Sequence, residues 1–190
     1  MDRISLTGFV DLVLEAGAGG EGDPLKERKG DSTPAYYNAL RDAIVDMHRY
    51  GLPENSLDEA LSRESSEKKR RIFARALDGY RRFLQTGTLK WFDPPRTSYP
   101  MGVHEVDVNP ELGLAINETP HIIKMYFRGE PLTPRRRSVM LSLLAGRLGR
   151  ICPGHVFGVL DVRQGKLHAL STPEERFDEA NRRGAEETAF

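Results

Sequence analysis

The segment 103–128 constrains the fold of this chain more than any other part of the sequence. It contains two extended runs, 112–116 and 121–128, joined by the polar and proline-containing segment 117–120. Side chains alternate between two faces along a strand, and a four-residue connection is a common hairpin loop. The segment therefore predicts a β-hairpin.

The register of this hairpin follows if its loop closes symmetrically. Leu114 then faces Ile123, Glu111 faces Tyr126, and Lys124 lies diagonal to Glu111. One face is apolar and consists of Leu112, Leu114, Ile116, Ile123, Met125 and Phe127. The other face consists of Glu111, Gly113, Ala115, Ile122, Lys124 and Tyr126. Because a one-residue slip would move every side chain of one strand to the opposite face, the agreement of the two patterns supports this register.

The order of the other elements predicts the fold class. Helical periodicity comes first, then a group of strands, a helix and more strand, which indicates an α+β domain. We expect a helical N-terminal half packed on a mixed β-sheet with an αβββαβ-like core. The predicted parts of this single domain are a short helix in 1–16, a flexible glycine-rich loop at 17–33, a helical part at 34–86, a sheet core at 88–170 with a helix at 133–148, and a C-terminal helix in 171–190.

Composition limits the classes of function. Lys and Arg together number 28, as do Asp and Glu, so nucleic acid could be bound only through local basic patches. The single cysteine, Cys152, excludes an internal disulfide and a multi-cysteine zinc site. No signal-peptide pattern and no apolar run long enough to cross a bilayer occurs. We expect a soluble, cytoplasmic protein without a membrane partner.

Glu111 and Lys124 on the second hairpin face have two interpretations. Opposite charges on neighbouring strands commonly form an exposed ion pair without any function. Alternatively, Glu111 helps to hold a divalent metal while Lys124 positions a water at a phosphodiester, because hard cations such as Mg²⁺ prefer carboxylate oxygens and can orient a nucleophile.

Three blocks of sequence carry a resemblance to known proteins. They are NPELGL at 109–114, IIKMYF at 122–127 and LDVRQGKL at 160–167, and they resemble blocks shared by a group of uncharacterised bacterial proteins. The order of helix, strand, hairpin, helix and strand is also similar to the αβββαβ core of the PD-(D/E)XK nuclease superfamily. This resemblance implies a nuclease-like protein that binds or hydrolyses nucleic acid.

The resemblance also implies roles for particular residues. Glu111 matches the first acid of the superfamily motif, and Lys124 matches its lysine, which makes both candidate catalytic residues. Ile122 stands where the motif has its second acid. Asp107 or Asp161 would then join Glu111 as the ligands of Mg²⁺ or Mn²⁺, as in members of the superfamily that relocate an acid.

The two substitute acids have structural interpretations as well. Asp107 shares a strand face with Glu105, which is typical either of a metal site or of a solvated edge strand. Asp161 lies in an otherwise apolar strand and needs a partner there. Arg163, two residues further on, or a helix N-terminus would serve as that partner.

Arg135, Arg136 and Arg137 occupy the first turn of the predicted helix at 133–148. The helix dipole favours acids at this end, so three cations indicate a nearby anion. That anion is either Glu130 or a nucleic-acid phosphate. With the basic run at 68–71 the arginines would form a rim for nucleic acid, or the two patches are unrelated and simply solvated.

A different function remains open. The segment 91–101 is rich in aromatic residues and proline, and such a surface could bind a protein partner. The sequence therefore predicts a nuclease-like protein first and a non-catalytic interaction or regulatory module second.

Overall fold

A computed structural model of the chain describes residues 2–16, 37–101 and 104–170. Its helices are α1 (Leu6–Ala16), α2 (Asn38–Tyr50), α3 (Ser56–Ser62), α4 (Glu67–Leu84) and α5 (Pro134–Leu148). Its strands are β1 (Asp2–Ser5), β2 (Leu89–Phe92), β3 (Thr97–Met101), β4 (His104–Val108), β5 (Leu112–Ile116), β6 (Thr119–Tyr126), β7 (Val156–Asp161) and β8 (Lys166–Ala169). The predicted loop at 17–33 and the predicted C-terminal helix in 171–190 lie outside the described residues.

The strands form two sheets. The larger sheet has the order β2-β5-β6-β7-β8, and its neighbours are antiparallel except for β6 and β7, which are parallel. The smaller sheet has the order β1-β4-β3. The α+β class and the mixed sheet are confirmed, and the elements α4, β2, β5, β6, α5 and β7 follow the expected αβββαβ order. The sequence prediction lacked β1 and β3.

The predicted register of the central hairpin is wrong by two residues. Leu114 pairs with His121 rather than Ile123, because the loop has two residues instead of four. Asn117 and Glu118 both have positive φ, at 47° and 72°, as in the tight type I′ turn that matches the twist of paired strands. Since the side-chain period is two, the two-residue error leaves the assignment of faces unchanged.

Both faces of the larger sheet are covered. The apolar hairpin face packs against α2, α3 and α4, where Phe73, Tyr80 and Phe83 are fully buried. The opposite face, which includes Ile122 and Tyr126, packs against α1, α5 and the smaller sheet. The second hairpin face therefore faces a core of its own.

The two long helices begin at side-chain caps. Ser66 Oγ accepts the Lys69 N–H ahead of α4, and Thr133 Oγ1 accepts the Arg136 N–H ahead of α5. Each cap satisfies one backbone donor that a helix start leaves without a partner. Among the described residues, no helix combines the length and the apolar character that crossing a bilayer requires.

Candidate functional site

Glu111 and Lys124, the predicted catalytic pair, lie in direct contact. The corrected register, continued by one residue from Leu112 and Ile123, brings Glu111 opposite Lys124. Glu111 Oε1 forms an ion pair with Lys124 Nζ, and its Oε2 accepts the Met125 N–H at 2.8 Å. Lys124 Nζ also donates to the Asn109 carbonyl at 3.1 Å. The two side chains are only 11% and 12% exposed, so each satisfies the other within the fold.

The acids predicted as metal ligands do not join this pair. Asp107 lies on β4 of the smaller sheet and forms an ion pair with Arg3 at 2.5 Å. Asp161 lies at the carboxyl end of β7, where its Oδ1 accepts the Gln164 N–H at 3.1 Å. Within 2–16, 37–101 and 104–170, no three residues among His, Cys, Asp and Glu are arranged to hold a metal ion.

The three arginines at the start of α5 have separate environments. Arg135 is exposed, whereas Arg136 Nη1 donates to Asp11 Oδ1 at 2.7 Å and Arg137 Nη1 donates to His168 Nδ1 at 2.9 Å. Burial, together with the charge of Arg137, lowers the pKa of His168. A neutral imidazole is the form that can accept this hydrogen bond. Two of the three side chains are therefore engaged within the protein.

Asp11, a buried residue of α1, is the anion that accompanies these cations. It accepts hydrogen bonds from Arg128, which follows β6, and from Arg136. The side chains of Asp11, Arg128 and Arg136 are nearly inaccessible to solvent. A buried carboxylate needs such partners, so the cluster fixes the loop after β6 against α1.

A polar cleft of about 390 Å³, which we call the arginine cleft, lies beside this loop. It is lined by Arg75, Asp78 and Arg82 of α4, by 128–131 between β6 and α5, and by Asp161, Arg163 and Gln164 at the end of β7. The cleft thus opens at the carboxyl ends of the parallel strands β6 and β7. In layered α/β structures this is the edge at which ligands bind.

Two glycines allow α4 to form one wall of the cleft. Gly79 lies against the turn between β7 and β8, and a Cβ added to it would be 2.5 Å from the Arg163 carbonyl carbon. Gly165, in that turn, has a φ of 64°, and an added Cβ would lie 3.1 Å from Arg82 Cβ. Only residues without a side chain permit this approach, which holds Arg82 Nη2 at 3.0 Å from the Arg163 carbonyl oxygen.

The cleft continues into an adjoining groove of about 430 Å³, the α4 groove. The groove shares Arg75, Gly129 and Arg163 with the arginine cleft and adds Lys68 and the ion pair of Arg71 with Glu67. The cationic surface therefore extends from the carboxyl edge of the sheet towards the start of α4.

Several charged groups in the cleft have no charged partner among the residues that the structure describes. Arg75 and Arg163 form no ion pair with any residue that the structure describes, and neither do Asp78, Glu130 and Asp161. Guanidiniums and carboxylates thus line one small volume without neutralising each other at close range. Such an arrangement leaves both kinds of group available to a ligand.

The aromatic side chains of the segment 91–101 pack against the protein. Trp91 is half-buried beneath the guanidinium of Arg49, whose Cζ lies 5.4 Å from the ring centroid. Tyr99 is buried between Phe9 and Arg147, and the Arg147 Cζ lies 3.8 Å from its ring centroid. These rings contribute to the two cores, so their chemistry does not by itself indicate a partner.

Sequence reasoning named Asp161 and, as its possible partner, Arg163, but did not predict that they lie beside Arg75 and Arg82 of α4. The available signal was the helical spacing of Lys68, Arg71, Arg75 and Arg82, which places them on one face of α4. Comparison of this chain with protein-family models, with curated proteins and with solved structures gives no match.

Proposed function

We propose that this protein binds nucleic acid and that the arginine cleft and the α4 groove hold its phosphate backbone. The observation that carries the proposal is the convergence of Arg75 and Arg163 on one cleft, without an ion-pair partner among the described residues. They come from a helix and a turn that are far apart in sequence. Their charge is local, since the whole chain is neutral.

The chemistry of the lining fits phosphate. A guanidinium presents planar N–H donors that match two phosphate oxygens at once. Arg75 and Arg163 both line the cleft and the groove, so a strand that runs through the two volumes passes both guanidiniums. Lys68 and Arg82 lie 14 residues apart on α4, a rise of about 21 Å at 1.5 Å per residue. This row of basic side chains on α4 is long enough to contact several phosphates of one nucleic-acid strand.

The test is fluorescence anisotropy with labelled single-stranded and duplex oligonucleotides over a range of salt concentrations. We expect Arg75→Ala combined with Arg163→Ala to weaken binding about tenfold or more, because two phosphate contacts are lost. The slope of log affinity against log salt should fall by about 0.7 per lost contact on a single strand.

A matched control removes the same charge elsewhere. Arg96, ahead of β3, and Arg150, after α5, are exposed and line neither the cleft nor the groove. The double variant Arg96→Ala with Arg150→Ala should keep the affinity and the salt slope of the wild type. Equal losses in the two double variants would show that charge in general, rather than the cleft, binds the ligand, and would overturn the proposal.

Hydrolysis of the bound strand is a second candidate, favoured by the contact between Glu111 and Lys124. Such hydrolysis would need a metal ion, and the groups around Glu111 and Lys124 do not offer a site for one. Both carboxylate oxygens of Glu111 already have partners in Lys124 and the Met125 N–H. The described residues also contain no group of three acids, histidines or cysteines that could hold Mg²⁺ or Mn²⁺. We therefore derive no hydrolytic step.

A further inference from the structure

The arginine cleft contains acids that a site for phosphate alone would not need. Asp78, Glu130 and Asp161 line the same volume as the guanidiniums and form no ion pair with residues of the described ranges. A carboxylate repels phosphate and can accept hydrogen bonds but, when ionised, cannot donate them. The ligand that suits this lining carries hydrogen-bond donors beside its phosphates.

Asp161 is the most deeply buried of the three acids. The residue is only 4% exposed, and Oδ1 accepts the Gln164 N–H. Its Oδ2 receives no hydrogen bond from the part of the chain that the structure describes. Oδ2 keeps some access to solvent and belongs to the lining of the cleft, and an ionised carboxylate oxygen only accepts hydrogen bonds. Oδ2 is therefore open to a donor that enters the cleft.

We infer that the nucleic acid bound here is RNA, recognised through a ribose 2′-hydroxyl that donates to Asp161 Oδ2. This inference rests on the proposed function, since Arg75 and Arg163 hold the adjacent phosphates. The 2′-hydroxyl is a donor and an acceptor, and it distinguishes RNA from DNA. A DNA strand brings its phosphates next to Asp161 without a hydroxyl to compensate, so the cleft discriminates against it.

The experiment compares single-stranded RNA and DNA of the same sequence by anisotropy at one salt concentration. The wild type should bind RNA about tenfold more tightly, the factor expected for one hydrogen bond to a charged group. In Asp161→Asn the amide oxygen can keep the Gln164 N–H, while the amide nitrogen replaces Oδ2 and cannot accept a hydrogen bond. The variant should bind DNA more tightly than the wild type does, because the negative charge beside the phosphates is removed, and the ratio of its RNA affinity to its DNA affinity should fall several-fold.

The control is Asp42→Asn, which removes an exposed carboxylate on α2 away from the cleft and should change neither affinity. Equal wild-type affinity for RNA and DNA would overturn the recognition of RNA and leave the proposed nucleic-acid binding intact. Absence of binding to both would overturn the two together. Equal weakening of RNA and DNA binding in Asp161→Asn would show a structural role for Asp161 and would also overturn the inference.

Discussion

The close approach of α4 to the turn between β7 and β8 makes a sharp prediction for Gly79→Ala. An added methyl group would lie 2.5 Å from the Arg163 carbonyl carbon and closer still to the carbonyl oxygens of Val162 and Arg163. Carbon atoms in contact are ordinarily about 3.5 to 4.0 Å apart. The atoms that must move belong to the backbone, so no rotamer change can relieve the overlap.

The magnitude follows from two opposing terms. Overpacking of a filled site costs about 1 to 3 kcal/mol, and alanine in a helix is favoured over glycine by about 1 kcal/mol. Because the displaced atoms belong to rigid backbone, we expect an overpacking cost in the upper part of its range, about 2 to 3 kcal/mol. The free energy of unfolding of Gly79→Ala should fall by about 1 to 2 kcal/mol, which lowers the urea midpoint by about 0.5 to 1 M.

A second helical glycine supplies the control. Gly146 lies on α5, and a Cβ added there would meet nothing within 4 Å. In Gly146→Ala the higher helix propensity of alanine is therefore not opposed by a steric overlap, and the protein should be stabilised by up to about 1 kcal/mol. Urea unfolding followed by far-UV circular dichroism measures both variants. If Gly79→Ala is stabilised like Gly146→Ala, the tight contact that forms the cleft wall does not exist, and the reasoning is refuted.

The remaining predictions concern two buried ionisable sites. Burial lowers the pKa of His48 to about 4, so between pH 6.5 and 4 the unfolded chain binds a proton that the folded His48 does not. The free energy of unfolding should decline as the pH falls through this range, by about 3 kcal/mol from this residue, and His48→Gln should remove that part of the decline in urea unfolding. Glu111→Gln should destabilise the fold by about 3 kcal/mol because it removes the negative charge that balances the buried Lys124 ammonium. Glu67→Gln, in an exposed pair with Arg71, should cost less than about 0.5 kcal/mol. Cleavage of RNA or DNA in Mn²⁺ that Glu111→Gln abolishes without unfolding the protein would instead favour the nuclease hypothesis.

The elements that the sequence predicted well are those set by local chemistry. The helix after Ser66 and the helix after Thr133 begin where a capping hydroxyl precedes helical periodicity. The hairpin faces were predicted because alternation survives a shift of two residues. The register was not, because it depends on a turn of Asn117 and Glu118 that lacks the glycine usual in such turns.

Long-range pairing accounts for what the sequence did not predict. Strand β1 pairs with β4 across about a hundred residues, with Asp2 opposite His104, and four residues carry too little pattern to indicate it. The anion beside Arg136 was expected to be Glu130 or a phosphate. It is Asp11, which lies 125 residues earlier in the chain, and no spacing rule links a residue of α1 to the start of α5.

The arginine cleft depends both on local chemistry and on long-range packing, and this explains why the sequence did not predict that its residues lie together. Arg75 and Arg163 acquire their common position only because Gly79 lets α4 touch the turn that contains Gly165. Each arginine is nevertheless followed closely by the glycine of its own element, after three residues on α4 and after one in the turn. Glycine destabilises the interior of a helix, so a glycine in a long helix indicates a close contact that excludes a side chain. Gly79 on α4 is therefore the sign of this contact in the sequence, and Arg75, one turn earlier, is the residue that the contact brings to the cleft.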